Sequence, residues 1–174
     1  MDICEYNALK VEDNQLKITE ANCSGCGGCQ SVCSYNALNI PGFAKAQISA
    51  QIQSLVKQKR ESPLIIAFLC NWCSYVGADL AGTSKLSYPT NIRTIHVMCA
   101  VIIDPSLIFE SLFYGIDGIL IAGCHPQDCH YNNGFIRAQN RFKSISEMLA
   151  EVGINKKRVR ITSISAGEGE KFVR

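Results

Sequence analysis

Cys23, Cys26, Cys29 and Cys33 stand in the spacing C-x2-C-x2-C-x3-C, inside Asn22-Cys-Ser-Gly-Cys-Gly-Gly-Cys-Gln-Ser-Val-Cys33. Thiolates two residues apart wrap one face of an iron–sulfur cube, and this spacing holds 4Fe-4S clusters. Gly25, Gly27 and Gly28 let the backbone curl and approach inorganic sulfur closely. The chemistry implied is one-electron transfer, ahead of zinc binding or a disulfide set.

A second group of thiols follows: Cys70, Cys73, Cys99, Cys124 and Cys129. Cys70, Cys99 and Cys124 each close an apolar run that reads as a buried strand. In open α/β sheets the C-terminal strand ends form the ligand crevice. Five thiols therefore converge on one sheet edge, one more than a four-thiolate site needs. A 2Fe-2S cluster is the first reading. Zinc held by thiolate and imidazole is a second, because His125 and His130 flank the last two cysteines. A redox-active dithiol at Cys70 and Cys73 is a third, because that pair follows a strand and precedes a helix. His125 and His130 are candidate hydrogen-bond donors to cluster sulfur, and Trp72 is a candidate lid. His96, inside a strand, reads as a core or sheet-face residue. The basic run Lys156, Lys157, Arg158 and Arg160 reads as a solvated face.

The upstream residues bear on the first site. Cys4-Glu-Tyr-Asn-Ala-Leu-Lys-Val11 repeats as Cys33-Ser-Tyr-Asn-Ala-Leu-Asn-Ile40, a duplication with a period of 29 residues. In two-cluster bacterial ferredoxins the fourth cysteine of each motif ligates the other cluster. By that rule Cys4 completes the 4Fe-4S site of Cys23, Cys26 and Cys29. Cys33 is then spare, or serves a cluster whose other thiolates come from a partner chain. The alternative is that Cys33 closes the cluster and Cys4 is a buried free thiol.

The elements that position these residues follow from patterning. Residues 1–42 read as a partial bacterial-ferredoxin-like module, ended by Pro41-Gly42. Residues 43–62 read as a connecting helix from Phe43 to about Arg60, with Ala44, Ile48, Ile52, Leu55 and Val56 on one stripe. Residues 63–174 alternate strand and helix. The strands are expected over 63–70, 92–99, 118–124 and 158–164. Helices are expected over 75–85 with Ser74 as N-cap, after Asp104-Pro105 and ending at Gly115, and through Phe135 to Val152. The fold class is α/β: a parallel, doubly wound, flavodoxin-like or Rossmann-like sheet preceded by the small module.

Composition narrows the function classes. A net charge of +2 is too small to imply nucleic acid or a membrane surface. No apolar run approaches the ~20 residues of a membrane span, and the N-terminus lacks a signal-peptide pattern. A cytoplasmic location is expected, where ten cysteines are metal ligands before they are disulfides. No phosphate-cradling glycine loop and no nucleophile–base pair is evident in the α/β part.

Three stretches carry a family resemblance: Phe68-Leu-Cys-Asn-Trp-Cys-Ser-Tyr-Val-Gly-Ala-Asp79, Val97-Met-Cys99 and Gly123-Cys-His-Pro-Gln-Asp-Cys-His-Tyr131. With Ser165-Ala-Gly-Glu-Gly-Glu-Lys-Phe172 they closely resemble the delta subunit of methyl-viologen-reducing hydrogenase. The first 42 residues resemble the C-terminal ferredoxin region of the A-type subunit of heterodisulfide reductase. The resemblance implies one 2Fe-2S cluster in the α/β part, and the reading is an electron-transfer subunit without a catalytic site of its own. It implies relay of electrons from a hydrogenase, formate dehydrogenase or other dehydrogenase to the flavoprotein, the electron-bifurcating A-type subunit of a heterodisulfide-reductase-type complex. Cys70, Cys73, Cys99, Cys124 and Cys129 match the family's cysteine positions. Many members carry Cys-Cys-Asn-Trp-Cys, and here Leu69 replaces the first of those cysteines. The competing functions are a thiol–disulfide or small-molecule reductase using Cys70 and Cys73, and a zinc-stabilised scaffold.

Overall fold

The structure is a computed structural model and describes residues 3–58 and 62–174. A small hairpin comes first, β1 (Leu9–Glu12) against β2 (Gln15–Ile18), antiparallel. Its two-residue turn, Asp13-Asn14, has φ of 52° and 60°. Asp and Asn tolerate that left-handed region, which a tight hairpin turn of right-handed twist requires. The sequence reading did not foresee this hairpin, although Asp13-Asn14 is its signal.

The 29-residue duplication is present in the backbone as well. Asn7 and Asn36 both adopt left-handed φ, 52° and 53°. Asn7 N–H donates to the Cys4 carbonyl at 3.2 Å, and Asn36 N–H donates to the Cys33 carbonyl at 3.1 Å. Each repeat thus turns the chain immediately after its cysteine.

Helix α1 (Lys45–Lys57) then crosses to the sheet, burying Ile48 and Ile52. The expected continuation to Arg60, and the stop beginning at Glu61, lie outside the described residues. Strands β3 (Ile65–Cys70), β4 (Ile92–Val97), β5 (Gly118–Gly123) and β6 (Val159–Ser163) form one parallel sheet in the order β4-β3-β5-β6. That is the flavodoxin-like order, with the switch in strand order between β3 and β5. The expected doubly wound α/β class holds.

Helices α2 (Ser74–Thr83), α3 (Pro105–Phe113), α4 (Gly134–Glu151) and α5 (Gly169–Val173) complete the layers. One core lies where α1, α3 and α4 cover the sheet, built on Ile66, Phe68, Ile95, Val97, Ile119, Ile121, Leu107 and Phe135. A smaller core lies under α2 and α5, built on Ala67, Leu69, Ala81, Ala122, Ile164 and Phe172. Both faces of β3 and β5 are buried, which is why those strands read as continuous apolar runs without alternation. Asp104 caps α3 as expected, its Oδ1 accepting Leu107 N–H at 2.9 Å, and Gly115 ends it at φ +93°.

One expectation fails locally. Ser74 is the first residue of α2, and Cys73 precedes the helix. The Ser74 hydroxyl does not cap; it turns into the sheet, donating to the Ala122 carbonyl at 2.7 Å and accepting Cys70 N–H at 2.7 Å. The β3–β5 ladder stops at Leu69↔Ala122, so this hydroxyl supplies the next rung. A buried N–H and C=O beyond the ladder need partners, and that need outweighs a cap at the exposed helix end.

Candidate metal centre

Cys4, Cys23, Cys26 and Cys29 line one cavity of about 230 Å³ between the two repeats. Its remaining walls include Ile3, Ala8, Leu9, Ile18, Leu38 and Ile40. Cys33 does not line it. The Cys33 thiol sits apart, accepting Ala37 N–H at 3.3 Å, and the Leu38, Ala37 and neighbouring backbone N–H groups pull it below the ordinary thiol value. In the lined cavity burial pushes Cys26 and Cys29 up. Gly28 N–H is directed at Cys26 Sγ, 3.4 Å away. Four thiols around one apolar cavity, with a backbone donor on a sulfur, fit a 4Fe-4S cluster. Gly27 has φ +81°, and a Cβ there would stand 2.7 Å from Ile102. The cysteine loop can therefore lie flat on the segment that follows Cys99 only because that residue is glycine.

The second set gathers at the C-terminal edge of the sheet, as the strand ends dictate. Cys70 ends β3, Cys124 follows β5 directly, and Cys99 lies two residues past β4. All three are about 1 % exposed. Cys73 and Cys129 are half-buried beside them. Cys70 Sγ and Cys124 Sγ are 3.8 Å apart. Two thiolates bound tetrahedrally to one metal at ~2.3 Å stand about 3.8 Å from each other, a separation this pair matches and which is also that of two thiols in contact. Thiol donation from Cys124 and then Cys99 pulls Cys70 far down. Cys99 is pushed up, first by Cys129 and Cys70, and Cys73 by burial and then Cys124. Buried thiols this close share protons among themselves and ionise together only around a cation. Among the described residues, no group of three or more His, Cys, Asp or Glu side chains is set as the ligands of a single metal ion.

Helix α4 points its N-terminus at this edge. Phe135 N–H is directed at Cys129 Sγ, 3.4 Å away. A Cβ on Gly134 would lie 2.8 Å from Cys99 Sγ, so only glycine lets the helix end approach these sulfurs. The positive end of this eighteen-residue helix faces those sulfurs.

The flanking residues take different places. His125 Nε2 lies 2.7 Å from Glu168 Oε2, which leaves Nδ1 as its only nitrogen for a sulfur. Glu168 also accepts Ser165 N–H at 2.7 Å, so the conspicuous late motif ties the loop of Cys124 to the chain terminus. His130 stacks on Trp72 with centroids 3.7 Å apart, and Trp72 is 42 % exposed. His96 is a sheet-face residue, bonded to Asn71 Oδ1 at 2.8 Å and between the rings of Phe43 and Tyr75. In the basic run, Arg158 donates to the Ile116 and Asp117 carbonyls, while Lys156, Lys157 and Arg160 are exposed.

Sequence reasoning missed the residues that join the two sites. Arg141 on α4 donates to the Val101 and Ile103 carbonyls at 2.8 and 3.0 Å and to Ser31 Oγ at 2.9 Å. One turn earlier Arg137 donates to the Ile3 carbonyl at 2.8 Å. Cys26 packs directly on the buried group of Cys99, Val101 and Tyr131, as do Tyr6, Met98 and Cys129. The i, i+4 spacing of Arg137 and Arg141 was visible, but nothing in the sequence marked the face they share as internal.

Residues 65–174 match the family model described as methyl-viologen-reducing hydrogenase, delta subunit. The chain is 51 % identical over 110 residues to the D-type iron-sulfur subunit of the vhc F420-non-reducing hydrogenase of Methanococcus voltae, covering 63 % of this chain and 76 % of that one. It is 44 % identical over 110 residues to the D-type iron-sulfur subunit of the F420-non-reducing hydrogenase of Archaeoglobus profundus, covering 63 % and 80 %. Over 172 residues, 99 % of its length, it is 41 % identical to the A-type subunit of the ferredoxin:CoB-CoM heterodisulfide reductase of Methanosarcina mazei, and it spans 22 % of that protein. No helix among the described residues is long and apolar enough to cross a membrane. By the matched domain and by its share of the hydrogenase subunits, the chain belongs to the methyl-viologen-reducing hydrogenase delta-subunit family.

Proposed function

We propose that this chain is an iron–sulfur relay with two adjacent centres. In this reading Cys4, Cys23, Cys26 and Cys29 hold a 4Fe-4S cluster in the module of residues 1–42. Four of Cys70, Cys73, Cys99, Cys124 and Cys129 hold a 2Fe-2S cluster in the domain of residues 63–174. When bound, such clusters supply reversible one-electron transfer. The observation that carries the reading is the packing of Cys26 on Cys99, Val101 and Tyr131, which makes the two thiol groups neighbours through a buried apolar contact. The chain's own residues exclude water from that contact, direct backbone N–H groups at sulfur, and fix the module on α4 through Arg137 and Arg141.

The electron donor in this reading is a hydrogenase, formate dehydrogenase or other dehydrogenase. The acceptor is the flavin-bearing, electron-bifurcating A-type subunit of a heterodisulfide-reductase-type complex. The names of the relatives support hydrogenase and heterodisulfide reductase assemblies. A dithiol reductase at Cys70 and Cys73 is disfavoured by geometry. Cys70 is buried beside Cys124, so only the half-buried Cys73 could meet a substrate disulfide, and Cys70 is placed to contact Cys124 as closely as a resolving thiol would contact Cys73.

Anaerobic iron and sulfide analysis tests the reading, with about six iron per chain expected from one cluster of each kind. Cys26→Ser should remove the cubane signal and leave the 2Fe-2S spectrum. Two iron or fewer in fully reconstituted protein would remove the N-terminal half of the argument. Donor-to-flavoprotein transfer that survives in full in a Cys124→Ser chain lacking the 2Fe-2S signal would make the chain a scaffold.

A further inference from the structure

Tyr131 sits where the two thiol groups meet; the Trp72 indole N–H lies near its oxygen, but its own O–H has no acceptor. The residue is 3 % exposed. Among the described residues its Oη is the one buried side-chain nitrogen or oxygen without a hydrogen bond. Folded proteins rarely leave such a group unpaired, so each instance calls for an absent acceptor or donor.

The surroundings say which. Cys99 and Val101 share its buried group, and Cys26, Cys129, Met98 and Tyr6 pack on it. On the other side, His130 meets the ring edge-on at 5.0 Å and Trp72 at 6.4 Å. A phenol carries its proton at neutral pH, so the hydroxyl has an O–H to donate. The side-chain acceptors in this packed group are the sulfurs of Cys99, Cys26, Cys129 and Met98 and the hydroxyl of Tyr6.

We infer that Tyr131 donates a hydrogen bond from its hydroxyl to a sulfur of the centre held at Cys99, and so sets that centre's reduction potential at the contact between the two sites. The inference rests on the relay reading above. A donor on a cluster sulfur stabilises the reduced state, whose sulfurs carry more negative charge. Tyr131 thereby favours residence of the electron on the centre at the sheet edge rather than on the module's centre. It is a positioning and tuning residue, since its ring also keeps water from the shared face.

The test is the potential of each centre in the reconstituted full chain, by EPR-monitored titration, for the native protein and Tyr131→Phe. Phenylalanine keeps the ring and removes only the donor. The 2Fe-2S reduction equilibrium should weaken about tenfold, which for one electron is about 59 mV lower, while the 4Fe-4S potential stays in place. A second measurement needs no variant: pulsed EPR of the native 2Fe-2S centre in D2O should show an exchangeable proton coupling. Tyr131→Phe should lose that coupling. A 2Fe-2S centre whose potential and proton coupling are unchanged by Tyr131→Phe overturns this inference alone. A chain with no cluster at these thiols overturns the relay reading and the inference together.

Discussion

Removing the Ser74 hydroxyl is the sharpest test of how the sheet edge is held. Ser74→Ala deletes one oxygen and leaves two buried backbone groups unpaired, Cys70 N–H and Ala122 C=O. Both residues are about fully buried, at 1 % and 0 % exposure, and the strand ladder between β3 and β5 ends at Leu69↔Ala122, one residue short of Cys70. A buried group stripped of its partner costs about 1–3 kcal/mol, so the pair predicts a loss of about 2–6 kcal/mol, with about 3 as the central value if one group relaxes. For a chain of this size each kcal/mol corresponds to about 2–4 °C, so Tm should fall by about 6–12 °C. The assay is anaerobic thermal unfolding at one scan rate, followed by far-ultraviolet circular dichroism and by visible absorbance. Because Cys70 and Cys124 flank the broken rung, absorbance from the sheet-edge centre should bleach before the fold is lost. A Tm drop under about 2 °C would refute the claim that this hydroxyl carries a rung of the sheet.

Arg141→Met should free the N-terminal module by removing three hydrogen bonds to Val101, Ile103 and Ser31. At about 1–3 kcal/mol for charge-assisted bonds and partners left unpaired, the module should be cut by protease at least tenfold faster while the sheet domain stays intact; equal cutting rates would contradict this. Cys4→Ser should abolish the 4Fe-4S signal and Cys33→Ser should keep it, since Cys4 lines the module's cavity and Cys33 does not. The opposite pattern in EPR would show that Cys33 closes the cluster. Glu168 is held at about 2, below its ordinary value of about 4.5, by Ser165 N–H and then His125. A lowered folded-state value stabilises the fold above pH about 4.5, and the contribution fades as pH falls toward about 2. Glu168→Gln should therefore flatten the acid limb of the stability curve of the metal-free chain between those values. An acid limb that Glu168→Gln leaves unchanged would show that the carboxylate holds nothing there.

Much of this molecule is legible in one dimension because its chemistry is local. The spacing of Cys23, Cys26 and Cys29 and the repeat that aligns Cys4 with Cys33 are short-range facts, set by how few residues a loop needs to wrap a cluster. The order of strands and helices also follows from apolar runs of strand length, bounded by turn residues, and Cys70, Cys99 and Cys124 could be placed at one edge because parallel strands share a direction. What the chain order could not state is which side chains meet across it. The rung from Ser74 needs the height at which β3 and β5 part. The hold of Arg137 and Arg141 on Ile3 and Ser31 joins residues more than a hundred positions apart. The exclusion of Cys33 from the cavity that takes Cys4 depends on how the two repeats face each other. The unpaired hydroxyl of Tyr131, held between two sets of sulfurs, exists only because α4 lays the module against the loop after Cys99. Local spacing selects a ligand type, but burial and directed hydrogen bonds are properties of a packed surface, and only tertiary contact creates that surface.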